Sequence, residues 1–270
     1  MKAIYMPKGK AGEYAKYAVN FYVGCSNGCE YCYLKRGILA HTMGGDKPVL
    51  KKCFKDHSPY GVFIRELHDN IVELRKHGLF FTFTSDPLLP ETQDLNNAAV
   101  LYAVNQGVPC KFLTKRADFK VLDSFEYFKH LIAYGFTLTG FDELEHNATN
   151  TGYRIMKMKE LHDKGFKTFA SIEPIIDLGR SADVIDRLLE LECCDLFLIG
   201  LMSGKRNYTK EEVKMFVVET HERVEHYAQH FQQSKPPRIY WKNSVLDYIE
   251  KSRAAMMLHV SVDSDYNIFI

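Results

Sequence analysis

"FYVGCSNGCEYCYLKRG" (residues 21–37) places three of the chain's seven cysteines within eight residues, as Cys25-x-x-x-Cys29-x-x-Cys32, with no fourth cysteine close behind. Three thiolates on one short loop suit either zinc or an iron–sulfur cluster. A structural zinc site takes a fourth Cys or His. A four-iron cluster on three protein thiolates leaves one iron open to a small chelating ligand. Gly24 and Gly28 allow the backbone to wrap closely around such a group. Three neighbouring buried thiols with no bound group are the plain alternative.

Outward from the loop, "AVNFYVG" (18–24) reads as a strand ending at Cys25. Downstream, short apolar runs alternate with helix-period segments. Strands are predicted over 79–85, 109–114, 136–141, 167–175, 195–200 and 238–241. Helices are predicted over 61–78, 91–107, 118–135, 151–165 and 210–231, with another capped by Ser181. Six or more such alternations imply an α/β protein with a parallel sheet and helices outside. The near-continuous apolar strands fit a sheet covered on both faces. A doubly wound sheet and a full or partial (β/α) barrel both satisfy this pattern. In a barrel, chemistry gathers at the C-terminal strand ends, where Cys25, Thr84-Ser85-Asp86, Lys115 and Glu173 fall. Residues 36–60 lack regular periodicity and read as a functional or mobile segment.

The 270 residues, 46% hydrophobic, are read as a single domain over 1–270, with a core at 18–200 and a C-terminal extension at 201–270. No run of eighteen apolar residues predicts a membrane span. An odd number of cysteines without an apolar leader implies reduced thiols and a cytoplasmic protein. Net charge is +1, yet residues 1–60 hold ten Lys/Arg against four Asp/Glu. A basic rim of this kind suits phosphates, although such runs are commonly just solvated surface.

At the cysteine loop the sequence resembles the radical S-adenosylmethionine (radical SAM) superfamily, whose hallmark is C-x3-C-x-aromatic-C after the first strand of a partial (β/α)6 TIM-like barrel. Tyr31 supplies the aromatic residue. The resemblance implies a [4Fe-4S] cluster on Cys25, Cys29 and Cys32, and S-adenosyl-L-methionine chelated at the fourth iron. It implies an enzyme, of lyase or transferase type, that cleaves this cofactor to a 5′-deoxyadenosyl radical for hydrogen abstraction. An electron donor such as flavodoxin or ferredoxin is implied with it. The cofactor pocket would take Tyr31 and Tyr33, then Thr84, Ser85 and Asp86 toward the methionine ammonium. Lys115 would face the carboxylate, and Thr139 and Glu173 the ribose, Glu173 alternatively the substrate. Plainer roles are a helix-entry turn for Ser85-Asp86-Pro87, a surface position for Lys115 and a backbone-amide contact for Glu173.

The longer string "NFYVGCSNGCEYCYLKRG", with "TSDP" and "FLTK" downstream, is similar to the spore photoproduct lyase and DNA-repair-photolyase-like branch and to phage-encoded relatives, over roughly residues 18–200. Phe83 departs from that branch, because the spore lyases carry a hydrogen-donating cysteine at this place. Repair of spore photoproduct is therefore not expected. Cys53 or Cys110 would substitute only if folded into the cavity. The branch and the basic first sixty residues point to a nucleic acid or nucleotide substrate. A peptide or small-molecule substrate is the alternative, and a non-enzymatic protein with a structural metal site is the alternative of another class. "HERVEH" (221–226) has Glu225 where a metalloprotease motif requires His. Lys242 and Asn243 sit at a further strand end, within reach of a substrate.

Overall fold

The computed structural model describes residues 2–204, 206–230, 236–249 and 268–269, with only the backbone of His230. Among the described residues ten strands form in chain order: β1 (Ile4–Tyr5), β2 (Ala18–Val19), β3 (Tyr22–Val23), β4 (Val49–Leu50), β5 (Leu79–Phe81), β6 (Cys110–Thr114), β7 (Ile132–Thr137), β8 (Lys167–Ile175), β9 (Leu196–Leu201) and β10 (Arg238–Trp241). One sheet runs β1-β2-β5-β6-β7-β8-β9-β10. Its first pair is antiparallel and every later pair parallel. No ladder joins β10 back to β1 among the described residues, so this is a partial TIM-like barrel, as the sequence predicts. The parallel run includes β10, the strand predicted at 238–241, one more than the six strands of a (β/α)6 barrel. No described helix is long and apolar enough to cross a membrane.

Period-two alternation sorts the strand residues into two cores. Leu79 and Phe81, Ile132 and Tyr134, and Phe197 and Ile199 face the outer helices, where most large apolar side chains are buried. Phe80, Ala133, Phe169, Leu196, Leu198 and Tyr240 fill the barrel lumen, together with Tyr14 and Ile268. Gly135 makes that filling possible, because a Cβ there would lie 2.1 Å from the Phe169 ring. Helices Pro59–Asp69, Gln93–Asn105, Thr151–Asp163, Leu178–Glu190 and Lys210–His230 cover the outside. Their entries are chemically marked. Ser58 accepts from Gly61 N–H with Pro59 in the first turn, and Asn150 accepts from Tyr153 N–H.

Several expectations shift. The segment 118–135 is not one α-helix: a kinked 3-10 stretch covers Asp123–Leu131, and Ile132 already begins β7. The "IAYGFT" of that strand alternates inward and outward, a pattern shadowed by the helical spacing of the preceding aromatics. The strand predicted at 136–141 consequently ends at Thr137, and Gly140 turns the chain with φ 74. The helix cap is Asp177, which accepts from Arg180 N–H; Ser181 lies inside the helix and donates to the Asp177 carbonyl. The single strand predicted over 18–24 splits at Asn20-Phe21. β2 enters the barrel, whereas β3 pairs antiparallel with β4 from the 36–60 segment. Asn20 braces this bend, donating to Tyr5 Oη at 2.6 Å and accepting from Phe83 N–H at 2.8 Å.

Candidate functional site

A cavity of about 630 Å³ opens at the C-terminal ends of the parallel strands. Cys25, Cys29 and Cys32 line one side, and Ser171, Glu173 and Lys242 another.

The cysteine loop is templated from two directions. Gly24 (φ 84) lets it pass under the 36–60 segment, since a Cβ would stand 2.4 Å from the Lys47 carbonyl. Cys25 N–H donates to the Gly45 carbonyl at 3.0 Å. From the other direction, Cys29 forms a β-bridge with Glu145. Glu30 N–H donates to the Leu144 carbonyl and Asn147 N–H to the Asn27 carbonyl, both at 3.0 Å.

Asp86 is a structural tie. Its Oδ1 accepts from Leu88 N–H (3.0 Å) and Thr114 Oγ1 (2.7 Å), and its Oδ2 from Asn27 Nδ2 and Lys115 N–H (both 2.8 Å). Its carboxylate is thereby committed to joining the cysteine loop to the end of β6. Thr84 Oγ1 donates to the Tyr22 carbonyl at 2.5 Å, and Thr84 does not line the cavity. Ser85 and Asn27 do line it, but the Ser85 hydroxyl and Asn27 Oδ1 are buried away from the open space and have no hydrogen-bond partner among the described residues. Of the Thr84-Ser85-Asp86 triplet, Ser85 alone has a side-chain group with no hydrogen-bond partner among the described residues.

Behind the loop lies a buried charge network. Glu145 accepts from Tyr31 Oη, from Lys115 Nζ at 3.0 Å, from Thr139 Oγ1 at 3.2 Å and from Arg154 Nη2. Lys115 also donates to Tyr31 Oη at 2.7 Å. Burial alone would raise the Glu145 carboxyl, but the Lys115 and Arg154 cations outweigh it and hold it at about 2. Thr139 is wholly buried on this network and does not line the cavity. The sequence conceals Glu145 and Arg154. Arg154 looks like a surface residue of an amphipathic helix, and only the tertiary fold turns it inward.

Tyr33 stands at the rim, its hydroxyl donating to the Phe83 carbonyl at 2.5 Å. Across the cavity, Tyr14 Oη donates to Glu173 Oε2 and meets Ser171 Oγ, both at 2.7 Å. Lys242, wholly buried, donates to the same Glu173 oxygen at 2.6 Å and to the Lys10 carbonyl at 3.1 Å. Its ammonium sits 4.2 Å from the Tyr14 ring centroid. Asn243 N–H donates to Glu13 Oε1 at 2.6 Å. Residues 8–14 thus form a wall of the site. The sequence hides this, because "KGKAGEY" carries no periodicity or motif. Lys8, Lys10 and Arg36 are exposed at the mouth.

Burial pushes the Cys25 thiol up to about 12, aided by the nearby Asp86 charge, and burial likewise takes Cys29 to about 11. Thiols in this condition ionise when a metal takes the proton's place. Among the described residues no three Cys, His, Asp or Glu converge as on one ion. A single tetrahedral zinc would hold its sulfurs within roughly 4 Å of one another. Three thiols on one side of a roomy cavity fit a group with several metal vertices and leave space for a ligand beside it. Cys53 is exposed and Cys110, Cys193 and Cys194 are buried; none of these lines the cavity.

No protein-family model matches the chain. An uncharacterized protein of Methanocaldococcus jannaschii is 28% identical over 172 residues, a match covering 60% of this chain and 61% of that protein. Among solved structures, spore photoproduct lyase complexed with dinucleoside spore photoproduct aligns with a TM-score of 0.59 at 14% identity, covering 88% of this chain and 80% of the lyase. Streptococcus suis SuiB bound to its precursor peptide SuiA aligns with a TM-score of 0.55 at 13% identity, covering 82% of this chain and 48% of SuiB. Both are radical SAM enzymes, and the chain resembles them in fold.

Proposed function

We propose that this chain is a radical SAM enzyme, with Cys25, Cys29 and Cys32 holding a [4Fe-4S] cluster and the adjoining cavity taking S-adenosyl-L-methionine. The observation that carries the reading is that one contiguous loop presents three thiols to a single cavity. The bound cluster supplies the electron for reductive cleavage of the sulfonium to a 5′-deoxyadenosyl radical. The chain's own residues supply binding and orientation. Lys115, with protons given to Tyr31 and Glu145, retains a third donor for a carboxylate. Asp86 and Glu145 keep the loop in register from either side. A one-electron protein donor of the flavodoxin or ferredoxin type completes the system.

Anaerobic reconstitution should yield about four irons per chain, as a single cubane requires. Under a reductant the reconstituted protein should convert S-adenosylmethionine to 5′-deoxyadenosine. Cys29→Ala retaining that conversion at full rate would refute the reading.

The substrate we assign is a nucleic acid or nucleotide derivative. Support comes from the exposed Lys8, Lys10 and Arg36 at the mouth and from the likeness to a lyase solved with a dinucleoside. Binding of single- and double-stranded oligonucleotides should weaken steeply as salt rises. Absence of binding even at low salt would turn the assignment toward a peptide, the class of ligand seen with SuiB.

A further inference from the structure

The surface beside the cysteine loop differs from the rest of the molecule. Twelve large apolar side chains are exposed among the described residues, and five of them fall within residues 33–50: Tyr33, Ile38, Leu39, Val49 and Leu50. The others are scattered, one or two to an element. Ile38 is 89% exposed and Val49 57%. Residues 33–55 also hold six Lys/Arg against one acid, Asp46, which Lys35 already pairs at 2.5 Å. Lys47, Lys52 and Lys55 are exposed and enter no ion pair among the described residues.

These pieces are held together, and they lie on the thiol loop. The Lys35–Asp46 pair clips the Gly37–Leu39 turn to the stretch that leads into β4. Gly44 closes the same clip, since a Cβ there would stand 2.7 Å from the Leu34 carbonyl. Cys25 N–H donates to the Gly45 carbonyl at 3.0 Å, and Lys35 N–H to the Cys32 carbonyl at 3.1 Å. A partner seated on this segment therefore stands one backbone layer from the thiols.

We propose that residues 33–55 are the docking face for an acidic protein that carries a one-electron redox group. Ile38, Leu39, Val49 and Leu50 form its apolar centre, and Lys47, Lys52 and Lys55 its cationic rim. The proposal rests on the radical reading above, which requires an electron donor and assigns it no place. An apolar centre inside a charged rim is the anatomy of a protein interface. Lysines of one sign steer an acidic partner onto it and exclude a basic one. A phosphodiester backbone would use the lysines but leave the four apolar side chains in water. The reduced carrier gives one electron to the oxidised cluster and departs oxidised by one electron, with no further reactant.

The test compares two reductants on the full-length reconstituted protein, with 5′-deoxyadenosine from S-adenosylmethionine as the readout. Titanium(III) citrate reduces without docking; an acidic flavodoxin, kept reduced by its reductase, has to dock. Two surface variants are made, Ile38→Asp/Leu50→Asp and Lys47→Glu/Lys52→Glu/Lys55→Glu. Each should lower the rate at limiting flavodoxin on the order of tenfold, the lysine variant through slower association. Iron content and the titanium-driven rate should stay at wild-type values. The wild-type flavodoxin rate should also fall as salt rises. Unchanged flavodoxin dependence in both variants, or a wild type that titanium drives and flavodoxin does not, overturns the proposal and leaves the enzyme reading intact. A lysine variant that loses oligonucleotide binding but keeps its flavodoxin-driven rate overturns it in favour of a nucleic-acid face. Absence of 5′-deoxyadenosine even with titanium in the wild type removes both readings. If the apolar variant fails to hold iron, the lysine variant decides alone.

Discussion

The two sides of the cavity are built in opposite ways. The proposed metal side comes from one uninterrupted loop, residues 25–32, held by the 36–60 segment and by residues 144–147. The facing side gathers Tyr14, Ser171, Glu173 and Lys242 from points far apart in the chain, with Lys242 and Lys10 meeting across 232 positions. A cluster needs several ligands at fixed mutual spacing, and a short loop delivers that spacing whatever the rest of the fold does. A substrate wall needs only groups facing inward, so any strand end or connecting segment will serve.

This contrast predicts that the two sides fail independently. Replacing Cys25 or Cys32 by alanine should abolish cluster binding, read as loss of visible-range absorption, while the melting temperature of the metal-free protein changes little. Lys242→Met should act in the reverse sense. It strands Glu173 in the lumen without its cation and should cost about 3–5 kcal/mol of stability, read from denaturant midpoints, with iron content unaltered. Loss of iron in Lys242→Met would show that the two sides are coupled after all. The double variant Lys242→Met/Glu173→Gln should recover part of the loss.

Glu145 offers a pH handle on the metal side. Its folded carboxyl lies at about 2, below the ordinary 4.5, so its contribution is fully present above pH 4.5 and is lost as pH falls toward 2. The shift corresponds to stability on the order of 3 kcal/mol. Acid unfolding of the wild type should therefore be steeper across that window than that of Glu145→Gln; identical profiles would place the Glu145 charge outside the energetics. The smallest effect is expected at Gly200, where a Cβ would stand 2.8 Å from Glu173 Cδ and 3.0 Å from Lys242 Cδ. Gly200→Ala should cost about 1–3 kcal/mol by overpacking, confined to the facing wall and without effect on iron.

Legibility in the sequence follows the same division. The cysteine spacing and the strand–helix alternation led to the fold, and β8 and β10 appear with the bounds read from their apolar runs. The cofactor triplet was located but not apportioned. Nothing in "TSDP" tells that Asp86 is consumed by four internal hydrogen bonds while Ser85 Oγ stays unpaired. β7 was misplaced because its alternation overlaps aromatics spaced like a helix face. Residues 8–14 and the Glu145–Arg154 pair carry no local signature, since their partners are supplied only when distant strands meet.

The bend at Asn20-Phe21 has a further consequence. It carries the chain into the cysteine loop through the β3–β4 ribbon, two residues per strand, and the loop is then tied to the barrel by Asp86 and by the Cys29–Glu145 bridge. So short a ribbon is marginal by itself, and those ties to the strand ends are what fix the loop. Were the proposed cluster lost, those protein-only ties would still hold the loop in its place.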